Sequence, residues 1–197
     1  MAAVVTTVHE DAVDPIVAKA RAGDRAALED VYDLYAARIY RYLVLHVRES
    51  SDAEDLLQRI FVKVIEGLPR YEARGLPFGA WVFRIARNTV IDFERTRRNH
   101  ASLDDVLERP DERRGPAELM ETAVEQEAIR SALGELTPDQ REVIVYRFFA
   151  GLSPREIGLL LDRSEGSIRA LQFRALQTLR GSLSPQVELM RAPGVGS

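Results

Sequence analysis

A hydroxyl residue three places before an acid or an amide, with helically spaced apolar residues following, marks three of the helix starts expected in this chain. These are Ser51-Asp52-Ala53-Glu54, Thr137-Pro138-Asp139-Gln140 and Ser153-Pro154-Arg155-Glu156. In such a capping box side chain and backbone at a helix start satisfy each other's hydrogen bonds, so the pattern marks helix N-termini. Proline at the first helical position strengthens the second and third. Asp24 supplies a further cap, for a helix from about Arg25 through Tyr42 with Leu28, Val31, Leu34, Tyr35 and Ile39 at helical spacing. Behind Ser51, the residues Leu56, Leu57, Ile60, Phe61 and Val64 make an apolar stripe. No segment alternates as a half-buried strand does, so the expected fold class is all-α.

Breakers sort these helices into two groups. Pro69, Gly75 and Pro77 make 68–77 a loop, and a strongly patterned helix follows from Phe78 to Arg98. Periodicity then lapses up to about Ala117, where Pro110, Gly115 and Pro116 intervene. From Asp104 to Glu127 the acids Asp104, Asp105, Glu108, Asp111, Glu112, Glu118, Glu121, Glu125 and Glu127 outnumber Arg109, Arg113 and Arg114. This composition suits an acidic interdomain linker, or a charged spacer with no role of its own. A new helix begins near Leu119, and Val124, Ala128, Ile129, Ala132 and Leu133 share its face. Behind Thr137, the residues Val143, Ile144, Val145 and Phe148 are expected to pack inward before Gly151 ends the helix. Ile157, Leu160 and Leu161 form a short apolar face behind Ser153, and Ser164 caps a last helix reaching about Arg180. The expectation is two small helical domains, 14–99 and 119–181, joined by a flexible linker at 100–118. A disordered N-terminus (1–13) and a loose tail (182–197) flank them.

Composition narrows the chemistry. With 46% hydrophobic and 29% charged residues over 197 positions, the chain has the make-up of a soluble globular protein. No stretch approaches the roughly 18 apolar residues of a membrane span, and MAAVVTTVHEDAVD lacks the basic start of a secretory signal. The absence of cysteine excludes disulfides and thiolate zinc sites and suits a cytoplasmic location. His9, His46 and His100 match no metal-ligand spacing, so no metal, cofactor or small-molecule substrate is expected. At a net charge of −4, any nucleic-acid binding has to come from local basic faces.

Two such faces exist. The short helix behind Ser153, a turn and the longer helix behind Ser164 have the layout of a DNA-reading helix-turn-helix. Ile168, Leu171, Ala175 and Leu179 fall on one stripe of that last helix, Arg169, Phe173 and Arg180 fall away from it, and Arg174 flanks it. Gly166 and Ser167 lie near its start, where free backbone N–H groups can meet a phosphate. A three-helix packing unit with solvated arginines is the plainer alternative. On the helix from Phe78, Val82, Ile85, Ala86, Thr89 and Phe93 face one side. Arg84, Arg87, Arg95 and Arg98 face the other, interrupted by Ile91, with Trp81, Asn88 and Asp92 on the seam. Such a stripe can hold a phosphate backbone while polar and aromatic groups meet bases. The plainer readings are a solvated arginine face, a half-buried Trp81 anchoring the core and a partnerless Asn88 amide. The Pro/Gly loop beside these residues is a place where an extruded base fits.

Together these residues resemble a known family. Asp52-Ala53-Glu54-Asp55-Leu56-Leu57-Gln58-Arg59-Ile60-Phe61 resembles region 2.2 of bacterial sigma factors. Residues 78–92, Phe-Gly-Ala-Trp-Val-Phe-Arg-Ile-Ala-Arg-Asn-Thr-Val-Ile-Asp, are similar to regions 2.3 and 2.4 of the extracytoplasmic function (ECF) group. Leu136-Thr137-Pro138 through Arg180 is similar to region 4. The resemblance covers about residues 24–98 and 122–180. It implies a non-enzymatic initiation factor with core RNA polymerase (β′ coiled coil and β flap), promoter DNA and a cognate anti-sigma factor as partners. Asp52, Glu54, Asp55 and Gln58 would contact the β′ coiled coil, while Leu56 and Phe61 hold their helix to its own domain. Arg74, Gly75, Leu76, Phe78, Trp81, Asn88 and Asp92 would surround a flipped base of the −10 element, with Arg84, Arg87 and Arg95 on neighbouring phosphates. Ser164, Gly166, Ser167, Arg169, Phe173 and Arg174 would engage the −35 element. The rival readings are a stand-alone helix-turn-helix regulator, which would not need the Trp81–Asn88 seam, and a metal-dependent nuclease, for which the carboxylates are too scattered.

Overall fold

The Asp24 carboxylate accepts the backbone N–H of Ala27 at 3.0 Å and so starts α2 (Arg25–Leu43), one residue longer than the sequence pattern indicates. In the computed structural model, residues 10–72, 75–101 and 123–191 are described, with side chains over 15–72, 75–98 and 126–181. Ahead of α2 lies a helix absent from the sequence expectation, α1 (Glu10–Arg21), which contains Pro15 and packs on α2. Gly23 makes the turn between them at φ +87°, a conformation glycine adopts without the Cβ penalty. α3 (Ser50–Gly67) starts one residue before Ser51, with Glu49 at its cap position and no side-chain cap bond, so the first capping box does not form. A single 3-10 turn (Leu68–Arg70) leads to the loop before α4 (Phe78–Ala101).

The second group opens with α5 (Ala123–Gly134). The expected start near Leu119 lies outside the described residues. At α6 (Pro138–Ile144) and α7 (Pro154–Leu161) both capping boxes are complete: the Thr137 and Ser153 side chains each accept the backbone N–H of the third residue on, and their own backbone N–H groups donate to that residue's side chain. α6 continues into a π turn (Val145–Phe149), which inserts an extra residue into the helical register. Val145 and Tyr146 are consequently buried, while Phe148, expected inside, is exposed. α8 (Glu165–Arg191) runs past Gly181 into the segment where the sequence suggests a loose tail. Among the described residues every regular element is a helix or helical turn, as an all-α chain requires.

The two groups do not stand apart. Their buried residues form one continuous core, from Ile39, Leu56 and Val82 on one side to Leu152, Ile157 and Ile168 on the other. At the junction the Tyr42 ring stacks on Tyr146 at 5.6 Å and 13°, and Phe83 meets both edge-on. Arg38, almost fully buried, donates from Nε to the Ala150 carbonyl at 2.7 Å while its guanidinium lies 4.9 Å from the Tyr35 ring centre. From α5, Arg130 donates to the carbonyls of Val44 and Val47 at 2.7 and 3.2 Å, and those carbonyls follow the last turn of α2. Helix ends leave such carbonyls without intrahelical partners, so a cation from the other domain satisfies them.

Candidate nucleic-acid interface

In the C-terminal domain the turn between α7 and α8 is tightly closed. Asp162 adopts the left-handed conformation (φ 54°), and Arg163 N–H returns to the Gly158 carbonyl at 2.9 Å. A Cβ at Gly158 would sit 2.6 Å from the Arg163 carbonyl oxygen, so only glycine lets the two segments approach this closely. Ser164 Oγ then accepts the Ser167 N–H at 3.2 Å and starts α8. Ile168, Leu171 and Ala175 are buried against α6 and α7, which leaves Arg169, Phe173 and Arg174 exposed. Phe173, at 63%, is the most exposed large apolar side chain among the described residues. Glu165 holds Arg169, accepting from its Nε at 3.0 Å and its Nη2 at 2.6 Å. Ser164 and Gly166 are exposed and Ser167 half-buried at the helix start.

On α4, Arg84, Asn88, Asp92 and Arg95 are exposed, and Asp92 accepts from Arg95 at 3.0 Å. Arg98 is paired with Glu94 at 3.2 Å. Thr89 lies inside, taking the Lys63 ammonium at 3.0 Å and donating to the Ile85 carbonyl. Trp81 is half-buried between Tyr71 (5.0 Å) and Phe78 (5.5 Å), and Gly67 leaves room for its ring. These contacts match the core-anchor reading of Trp81. The preceding loop folds inward: Tyr71 hydroxyl donates to the Leu76 carbonyl at 3.0 Å, and Leu76 and Phe78 are buried. Their side chains therefore shape the loop from beneath, while Gly75 is exposed on it. Arg74 lies outside the described residues. Arg87 departs from the stripe; its Nε donates to Glu142 Oε1 of α6 at 2.8 Å.

Near the start of α3, Asp55 and Gln58 are exposed and Asp52 and Glu54 half-buried, while Leu56 and Phe61 point into the core. The sequence reading missed the junction residues Arg38, Tyr42, Arg130, Glu142 and Tyr146. Nothing in their local patterns distinguishes them, because the partner of each lies on the far side of the linker. Among the described residues no group of histidines and carboxylates could hold a metal ion, and no helix is long and apolar enough to cross a membrane.

A capped helix-turn-helix together with a second exposed arginine helix on an all-α scaffold defines a helical DNA-binding protein. The Sigma-70 region 2 family matches residues 31–100, and the Sigma-70 region 4 family matches residues 132–181. The ECF RNA polymerase sigma factor BldN of Streptomyces coelicolor is 33% identical over 166 residues, covering 83% of this chain and 63% of that protein. The ECF sigma factor ShbA of Streptomyces griseus is 35% identical over 178 residues, covering 85% of this chain and 93% of that protein. This chain thus spans under two thirds of the BldN factor's length and nearly all of ShbA's. Among solved structures, CnrH in complex with the cytosolic domain of CnrY superposes with a TM-score of 0.62 at 25% identity, covering 86% of this chain and 96% of that one. The chain belongs to the ECF RNA polymerase sigma factors of the sigma-70 family, which are transcription initiation factors and not enzymes.

Proposed function

We propose that this chain docks on core RNA polymerase and directs it to promoters bearing a −35 and a −10 element, acting in the cytoplasm under a cognate anti-sigma factor. The observation that carries the reading is Phe173, largely exposed between Arg169 and Arg174 on a capped second helix. Apolar exposure of that kind is costly on a merely solvated face and useful in a major groove, where it meets a thymine methyl while arginines meet guanine edges and phosphates. Ser164, Gly166 and Ser167 add backbone and hydroxyl donors at the helix start, where phosphate is favoured.

The N-terminal domain melts and reads the −10 element. Arg84 and Arg95 grip phosphates from the outer face of α4, and Arg87 joins them once its carboxylate partner is released. Gly75 and Asn88 receive the extruded base above the floor made by Leu76, Phe78 and Trp81, and Asp92 orients Arg95. Asp52, Glu54, Asp55 and Gln58 form the polymerase-facing start of α3, meeting the β′ coiled coil, and the C-terminal domain meets the β flap. A neighbour of similar architecture is CnrH with CnrY bound, which supports a protein partner that sequesters the free factor.

Run-off transcription with purified core enzyme tests the reading. Transcripts should appear only when the chain is added, and Arg174→Ala should reduce them by roughly five- to a hundredfold, the loss of one good base-edge contact. Tight sequence-specific duplex binding by the chain alone, with no transcript when core is present, would overturn the reading in favour of a stand-alone regulator.

A further inference from the structure

Two arginines on the outer face of α8 differ in how they are held. Arg174 is exposed, and its guanidinium has no acidic partner among the described residues. Arg169 is tied down: its Nε and Nη2 both donate to Glu165 Oε1, at 3.0 and 2.6 Å. Those bonds occupy one edge of the guanidinium and leave the Nη1–Nη2 edge open. Glu165 stands in the first turn of α8, directly after the Ser164 cap. There the helix dipole favours a carboxylate, and a glutamate four residues ahead of a cation is the better of the two orders. Helical side chains lean toward the N-terminus, so the Arg169 guanidinium is carried back toward the start of α8, the end that meets base edges in a helix-turn-helix. With 65% of the Arg169 side chain and 43% of the Glu165 side chain accessible, the pair adds little to the stability of the fold. Its effect is on direction.

We infer that Glu165 is a positioning residue for promoter recognition: it aims the open edge of Arg169 at a guanine and keeps that arginine from acting as a general phosphate clamp. An unheld arginine gives up rotamer freedom when it meets DNA, whereas Arg169 is already ordered in the free protein. The open edge carries two parallel N–H groups, which match the O6 and N7 acceptors that guanine presents together in the major groove. A carboxylate beside that edge repels a phosphate and offsets the charge that the arginine would bring to the DNA backbone. The inference rests on the placement of Arg169 in the −35 major groove; the pair itself does not.

Selection of −35 sequences from a randomised promoter library by the reconstituted holoenzyme gives the base preference at each position. Arg169→Ala should relax one position, losing a preference for guanine of roughly five- to a hundredfold. Glu165→Gln keeps the size and removes the charge. It should relax the same position and no other, by roughly two- to tenfold, and should change nothing further there when added to Arg169→Ala. Glu165→Asp retains a carboxylate and should recover part of the preference. On random-sequence duplex the Glu165→Gln holoenzyme should show a salt dependence steeper by about 0.9 in log–log slope, as one more phosphate is engaged. Equal weakening at every position would show that Glu165 only starts the helix. Relaxation at a neighbouring position that Arg169→Ala leaves intact would show that Glu165 touches a base itself. Either result, or an unchanged preference, overturns the positioning role, and an unchanged salt slope overturns the exclusion of phosphate. If Arg169→Ala relaxes no position, the groove assignment of Arg169 fails and the positioning role with it. A selective loss in Arg169→Ala alone leaves that assignment standing and removes only the role of Glu165.

Discussion

At the scale of single residues, the junction is governed by burial more than by charge. Tyr35 lies under Arg38 and against Phe78, and burial lifts its phenol from 10 to about 12 against the opposing pull of the Arg38 guanidinium. Below pH 10 the phenol is neutral in folded and unfolded chains alike, so its packing contribution is fully present. Between pH 10 and 12 the unfolded chain loses the proton that the folded chain keeps, so stability falls as pH rises through that window. Tyr35→Phe should therefore show a shallower decline of the thermal midpoint across pH 10 to 12, followed by circular dichroism. Tyr42 and Tyr146 are also shifted upward by burial, so the decline becomes shallower without vanishing. An equally steep decline in the variant would show that Tyr35 ionises freely in the folded chain. None of this was legible residue by residue. Tyr35 stood out by its helical spacing, but nothing in the sequence around Arg38 in the same helix points to its acceptor, which lies 112 positions along the chain.

At the scale of elements, helix starts were legible wherever the cap chemistry is complete within four residues. Asp24, Thr137, Ser153 and Ser164 all cap as their sequences indicate. Ser51 fails because the helix already begins at Ser50, so its hydroxyl falls inside the first turn. The π turn was illegible for a different reason. A 3.6-residue period predicts Phe148 inside, and one inserted residue rotates it out while Tyr146 rotates in. α1 went unseen because its Pro15 breaks the pattern that would announce it. Within the helix-turn-helix, Gly158 is the element's weak point: Gly158→Ala sets a methyl against the Arg163 carbonyl and forces α7 and α8 apart. The expected cost is about 1–3 kcal/mol, with loss of −35 duplex binding in the holoenzyme while polymerase docking persists. Both can be followed together, by gel shift on a promoter fragment and co-elution with core. Unimpaired −35 binding would show that the turn relaxes at no cost to the reading helix.

At the scale of the whole molecule, two helical domains were legible in the breakers and the acidic stretch between them, but their docking was not, since no periodicity reports on a partner surface. The length of residues 102–122 then becomes a functional quantity. Deleting about half of them leaves a reach of roughly 35 Å. Such a variant should unfold at the same temperature as the parent yet fail in run-off transcription from promoters that need both elements. Undiminished transcription would mean that the domains are not required to separate. The bond between Arg87 and Glu142 has one more consequence. A carboxylate on a short tether confronts its arginine at an effective concentration of about millimolar, however dilute the protein. Any outside acceptor for the Arg87 guanidinium competes with that constant local excess, so raising the protein's concentration does not change how often the pair is made.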